Sequence, residues 1–186
     1  MDSTTTLVNI APPTEYFISG PTLKDAIVYD HHSRPLYFVT SDLKHMVIKS
    51  AESGRTIAVW NRRDLLLDTV AFSCRNGGLP IHVSKWMKKT KLRDGTPAFV
   101  MDTEWGPYVW KIISSHRHKL YTDFDATKSV ASVTMEPKSS SSYRALVIES
   151  MAEPIRDDII VSYLIQRQRL LVEEKAIDLY MGAARF

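Results

Sequence analysis

From residue 16 to residue 148 the chain is written in short apolar runs that alternate with polar side chains and stop at turn residues. A period of two places every second side chain on one face of a pleated strand. Runs at 26–29, 36–40, 43–49, 55–61 and 65–72 are rich in β-branched and aromatic residues, which suit a half-buried sheet surface. An edge strand is expected at 16–18, and further strands at 81–85, 98–101, 105–112, 120–124, 129–135 and 143–148. Within 105–112, Tyr108 and Trp110 share one face and Val109 takes the other. Asn76-Gly77 and Asp94-Gly95 are strong turn signals, and the Asn-Gly pair demands positive φ. Eleven or twelve short strands (about that many) at regular spacing predict a sandwich or a barrel.

The pattern changes at residue 157, where the chain reads DDIIVSYLIQRQRLLV. Strands usually stop by about ten residues, so the length favours a helix. Pro154 just ahead of the stretch, Asp157 and Asp158 at its start and the good helix formers of 166–174 agree, and a helix is predicted over 156–172. Ile159, Ile160, Val161, Leu164 and Ile165 leave its first half without a polar face, so it must be surrounded rather than leaned on. A barrel of more than about eight strands has a lumen that its own side chains do not fill, and this helix is a suitable plug. Gln166, Arg167, Gln168 and Arg169 are polar all round, which predicts that the helix leaves the core near Gln166. The domain plan that follows is a flexible lead-in over 1–20, one domain over 21–175 and a tail over 176–186.

Composition narrows the setting. At 186 residues and 44% hydrophobic, the chain suits one domain with a real core. Cys74, the sole cysteine, excludes an internal disulfide or a thiolate-rich metal site and reads as a buried or inert thiol. The N-terminus has no basic stretch and no apolar run before Pro12 and Pro13, so no secretory signal is expected and the location predicted is cytoplasmic. No apolar run approaches the roughly 20 residues that span a bilayer.

The net charge is +3, and its distribution matters more than its sum. Lys85, Lys88, Lys89, Lys91 and Arg93 lie in one short segment without an acid, and the rest of the chain carries 19 basic against 21 acidic side chains.

The order of Ile57 and Trp60, the Lys85-Trp86-Met87-Lys88 segment, Phe99, Tyr108 with Trp110, Val130-Ala131, the 145–148 strand and the closing Asp-Ile-Ile-Val-x-Tyr-Leu resembles a fungal family of unknown function. That family is similar to the Tubby C-terminal-like superfamily, which includes LURP-one-related proteins and phospholipid scramblases. The resemblance covers about residues 21–169 and rests on core aromatics in sequence order rather than on a site signature. It implies a mainly β fold, an antiparallel barrel of about twelve strands wrapped around a hydrophobic C-terminal helix, in agreement with the pattern above. Tubby proteins bind phosphoinositide headgroups through basic residues, but no matching signature transfers residue by residue.

Candidate chemistry centres on the basic segment. Lys85, Lys88, Lys89, Lys91 and Arg93 suit an anionic phospholipid headgroup, with Trp86 entering the headgroup boundary. The competing reading packs Trp86 in the core and leaves the lysines as a solvated loop. The patch is short and the pI of 8.9 modest, which argues against nucleic acid. His31-His32 and the pair His116 and His118 lack the further ligands that zinc needs, so no metal and no cofactor is expected. No G-x-S-x-G elbow is present, and Gly77-Gly78 lacks the Lys-Ser/Thr sequel of a phosphate loop. The expectation is a non-enzymatic module, peripheral at membranes, that recognises anionic phospholipid; a scaffold domain using its rim and tail to hold a protein partner is the alternative.

Overall fold

The first seven strands run in sequence as β1 (Thr14–Ile18), β2 (Asp25–Asp30), β3 (Pro35–Ser41), β4 (His45–Ser50), β5 (Thr56–Asn61), β6 (Thr69–Phe72) and β7 (Ile81–His82). A single helical turn, α1 (Val83–Trp86), leads to β8 (Met87–Lys91), β9 (Pro97–Thr103), β10 (Gly106–Ser114), β11 (Arg117–Thr122), β12 (Ser129–Met135) and β13 (Arg144–Ile148). A 3₁₀ segment at Ser150–Ile155 then enters α2 (Arg156–Ala183). This computed structural model describes residues 11–20, 22–63, 66–114, 117–135 and 144–183.

Among the described residues the thirteen strands make one antiparallel sheet, ordered β7 to β1 and then β13 to β8. Two meanders of hairpins are therefore joined by the pairing of β1 with β13. Flat, thirteen strands would be roughly 58 Å wide at ~4.8 Å per step. Yet the edge strands β7 and β8 are separated by α1 alone, a stretch of chain that spans at most about 18 Å. The sheet must curl back until its edges adjoin, but no strand ladder joins β7 to β8. A closed barrel is thus not formed by hydrogen bonds. The reason lies in Val83-Ser84-Lys85-Trp86: the apolar pair three residues apart turns inward together as one helical turn, with both side chains buried. The strand expected over 81–85 accordingly stops at His82.

Every strand offers alternate side chains to the interior, including Tyr16, Ile18, Val39, Ile48, Trp60, Met101, Trp110, Leu120 and Leu146. Facing them is α2. Residues 158–168 are all buried, three turns of helix enclosed around the whole circumference. Its neighbours come from all sides: Tyr37 on β3 meets Asp157, Trp110 on β10 meets Ser162, His118 on β11 meets Tyr163 and Met87 on β8 meets Gln166. Ile159, Ile160, Val161, Leu164 and Ile165 each have at most 1% of their surface exposed, as the apolar pattern predicts.

Four expectations are corrected. Residues 16–18 are not an edge: β1 is paired on both sides, and Tyr16 and Ile18 lie in the core, so the lead-in contributes to the fold from Thr14 onward. The helix does not leave the core at Gln166. Gln166, Arg167 and Gln168 stay buried, because the surrounding strands and loops are tall enough to enclose them, while Ser162 O and Glu174 on the helix itself and Asp42 O in the β3–β4 turn accept from them. Nor does the helix stop near 172; it continues to Ala183, into the segment expected to be a tail. Finally, Cys74 is exposed, since it follows Phe72, the last inward side chain of β6, in the turn beyond the strand. The two turn signals behave as the sequence predicts, with positive φ at Asn76, Gly77 and Gly95.

Candidate functional site

The basic segment folds into three different environments. Lys85 lies on the exposed side of α1 and lines a hollow of about 380 Å³ that it shares with Arg75, Asp102 and Glu104. Trp86 faces the opposite way. It is 4% exposed and meets Phe72 edge-on at 5.0 Å, which removes it from any contact with lipid. Lys88, Lys89 and Lys91 are exposed along β8, and Arg93 is exposed in the tight turn that follows, where Gly95 N donates to Leu92 O at 2.9 Å.

Because β8 is an edge strand, one side of its backbone has no strand partner among the described residues, and lysines along such an edge discourage the addition of another chain. The register extends the charge beyond this edge. Thr90 lies opposite Ala98, Ala98 opposite Lys111 and Lys111 opposite Lys119, so the last two stand side by side on the outer face. The Lys111 ammonium lies 4.1 Å from the ring centre of Tyr121, a cation–π contact that orients it across the strands. Sequence reading missed Lys111 and Lys119. The available signal was the alternation in β10, which puts Lys111 on the face away from Trp110.

The second feature surrounds α2 where it leaves the sheet. On one side Met87, Lys89, Phe99, Ile112, Gln166 and Leu170 line a cleft of about 430 Å³. Met87 and Lys89 share the inward face of β8, and Lys89 is paired in register with Phe99. Arg169 also borders the cleft, but its guanidinium is held by Asp68 at 2.6 and 3.1 Å. Across the helix, Gln168 Nε2 donates to Asp42 O at 2.8 Å. Leu43, Leu66, Leu67 and Ile113, in or beside the turns at this end, are each more than half exposed.

At the other end of α2 a polar cluster fastens the helix to the sheet. The Arg75 guanidinium grips the fully buried Asp158 carboxylate at two points, one of them 2.6 Å, and reaches Glu104 at 3.4 Å. Burial pushes the Asp158 carboxyl above its ordinary value, against the pull of Arg75. Tyr37 donates to Asp157, and Arg156 Nε donates to the Tyr37 hydroxyl at 3.0 Å. Tyr16 donates to Glu153 at 2.7 Å, and burial together with that carboxylate pushes its phenol up to about 12. Each of these carboxylates is thus engaged by Arg75, Tyr37 or Tyr16.

The histidines are apart. His31 and His32 lie against each other in the β2–β3 turn, with ring centres 3.8 Å apart and planes tilted by 43°. His118 is buried between the rings of Trp110 and Tyr163, at 6.5 and 6.0 Å, and His116 lies outside the described residues. Among the described residues no helix is long and apolar enough to cross a membrane.

Residues 21–170 match the family described as Family of unknown function (DUF6593). No curated protein matches the chain. Among solved structures it is similar to an X-ray structure of a protein from Arabidopsis thaliana, at 11% identity and a TM-score of 0.45, over 91% of this chain and 94% of that one.

Proposed function

The chain belongs to DUF6593, a family of unknown function, and we propose that it is a non-enzymatic binding module that docks on anionic phospholipid surfaces from the cytoplasmic side. The observation that carries this reading is the exposure of Lys88, Lys89, Lys91 and Arg93 on the edge strand β8 and its turn, with the half-buried Lys111 and Lys119 adding positive charge on the outer face of β10 and β11. Lysine and arginine near an anionic leaflet each contribute about 1 kcal/mol, so a group of this size suffices for reversible association without a buried anchor. With Trp86 in the core, the contact is electrostatic and screened by salt over a Debye length of about 8 Å at physiological ionic strength. A sheet curled around an apolar helix is also what the Tubby-like resemblance implies, and it supports placing the family beside those lipid-associated folds.

Co-sedimentation with vesicles containing phosphatidylserine or phosphoinositide tests the reading. Binding is expected at low salt, and changing Lys88, Lys89 and Lys91 together to Glu is expected to weaken it by about a hundredfold or more. Absence of binding at low salt, or binding unchanged by the triple substitution, rejects it. The exposed Leu43, Leu66, Leu67 and Ile113 around the helix exit favour a second reading, a rim that holds a protein partner. A partner captured by the full chain and lost on removing residues 176–186 favours that alternative.

A further inference from the structure

The cleft beside the helix exit has a chemistry of its own, sharing Lys89 with the basic edge but separate from Lys88, Lys111 and Lys119 on the outer face. One part of its wall is apolar: Met87 and Phe99 from β8 and β9, Ile112 from β10 and Leu170 from α2. At about 430 Å³ it falls within the size range of small-molecule sites. Lys89 supplies a cation that no carboxylate among the described residues engages, whereas Arg169 is already held by Asp68. Glu173, one turn beyond Leu170 on the helix, is exposed and borders the opposite side, so an anion is favoured towards Lys89.

Gln166 adds the specific element. Its side chain lines the cleft while only 4% of the residue is exposed. The amide nitrogen donates to Ser162 O at 3.3 Å and lies 3.6 Å from the Met87 sulfur. Exchanging nitrogen and oxygen would set two acceptors against each other at Ser162, so this contact fixes the orientation. The amide oxygen is then a buried acceptor with no donor among the described residues. Buried acceptors are normally satisfied; this one is closed to solvent, so a ligand hydroxyl or N–H would satisfy it after the Gln166 side chain turns towards the cleft.

We infer that the cleft binds a single-chain lipid carrying an anionic headgroup and a free hydroxyl, with the chain along Phe99, Ile112 and Leu170, the anion beside Lys89 and the hydroxyl donating to Gln166 Oε1 once that side chain turns towards the cleft. One acyl chain suits the cleft's size; a two-chain phospholipid does not.

Calorimetry with decanoyl lysophosphatidate, used as a monomer, tests this on the full chain. Saturable binding is expected, tighter than for decanoate, which lacks the hydroxyl, or monodecanoylglycerol, which lacks the anion. Glycerol 3-phosphate, the headgroup without a chain, is expected not to bind, and equal binding by it would show a phosphate site and overturn the proposal. Ser84 is exposed and lines the cleft, so Ser84→Trp fills it without disturbing the core and is expected to abolish binding. Gln166→Leu is expected to cut the preference for lysophosphatidate over decanoate by about fivefold, the scale of one hydrogen bond. Lack of saturable binding, or binding unchanged in Ser84→Trp, refutes the site even if Gln166→Leu fails to fold. The vesicle reading stands or falls separately: Ser84→Trp is expected to leave co-sedimentation intact, and Lys88→Glu to leave cleft binding intact.

Discussion

The two halves of the enclosed helix are buried to similar degrees by different means. Residues 159–165 are enclosed by apolar contact, with only Ser162 breaking the series, and that hydroxyl is occupied by Trp110 Nε1 at 2.9 Å and Ile159 O at 2.9 Å. Gln166 and Arg167 are enclosed with partners on the helix itself, Ser162 O and Glu174, which leave Gln166 Oε1 and Arg167 Nε without one among the described residues, and Gln168 is enclosed against Asp42 O. Apolar burial needs only a wall of any suitable shape, because the hydrophobic effect has no direction. Polar burial needs a particular atom at a particular place, since an unsatisfied group costs about 1–3 kcal/mol. The first half therefore holds the fold together, and in the second it is Gln168, bonded to Asp42 O, that ties the helix to a turn of the sheet.

Substitutions separate the two contributions. The largest effect is expected from Leu164→Asp, which buries a charge without a partner at a site of 0% exposure. Losing the leucine contributes about 1.5–3 kcal/mol and the stranded charge several more, which together reach the total stability of a typical domain of about 5–15 kcal/mol. The variant is expected to be unfolded by circular dichroism; a soluble form with unchanged melting would refute the enclosed helix. Next in size is Arg75→Met, which leaves Asp158 buried and unpaired and is expected to cost about 3–5 kcal/mol in urea unfolding. Adding Asp158→Leu is expected to recover most of that loss, whereas additive destabilisation would show that the pair does not act as a unit. Smallest is Gln168→Ala. It frees Asp42 O from its side-chain donor and is expected to cost about 1 kcal/mol, with faster amide exchange confined to the helix exit and the β3–β4 turn. A loss as large as that of Leu164→Asp would erase the distinction between the halves.

Much of the fold was legible locally. Alternation marked the strands because period two is a property of a single segment, and the all-apolar stretch marked the enclosed helix for the same reason. Trp86 was the ambiguous residue. Its neighbours Lys85 and Lys88 suggested a surface, and only the helical turn of α1 sends its ring inward against Phe72. The candidate site was legible in part: the exposed lysines of β8 and Arg93 were visible as a charge run, but Lys111 and Lys119 join them only through strand register. Gln166 was misjudged because polarity was taken as exposure, when the Ser162 carbonyl gave its amide nitrogen a buried partner.

By itself, the order of amino acids determined which segments are strands, where the long helix begins and which of its side chains must avoid water. Each of these is set by neighbours a few residues apart. The tertiary structure alone decided that the sheet stays open at α1, that three polar residues of the helix remain enclosed, and that a cleft forms where β8, β9 and β10 pass the helix exit. These depend on how far a thirteen-stranded sheet curls and on which distant atoms that curl brings within hydrogen-bonding range, and no local pattern carries that information.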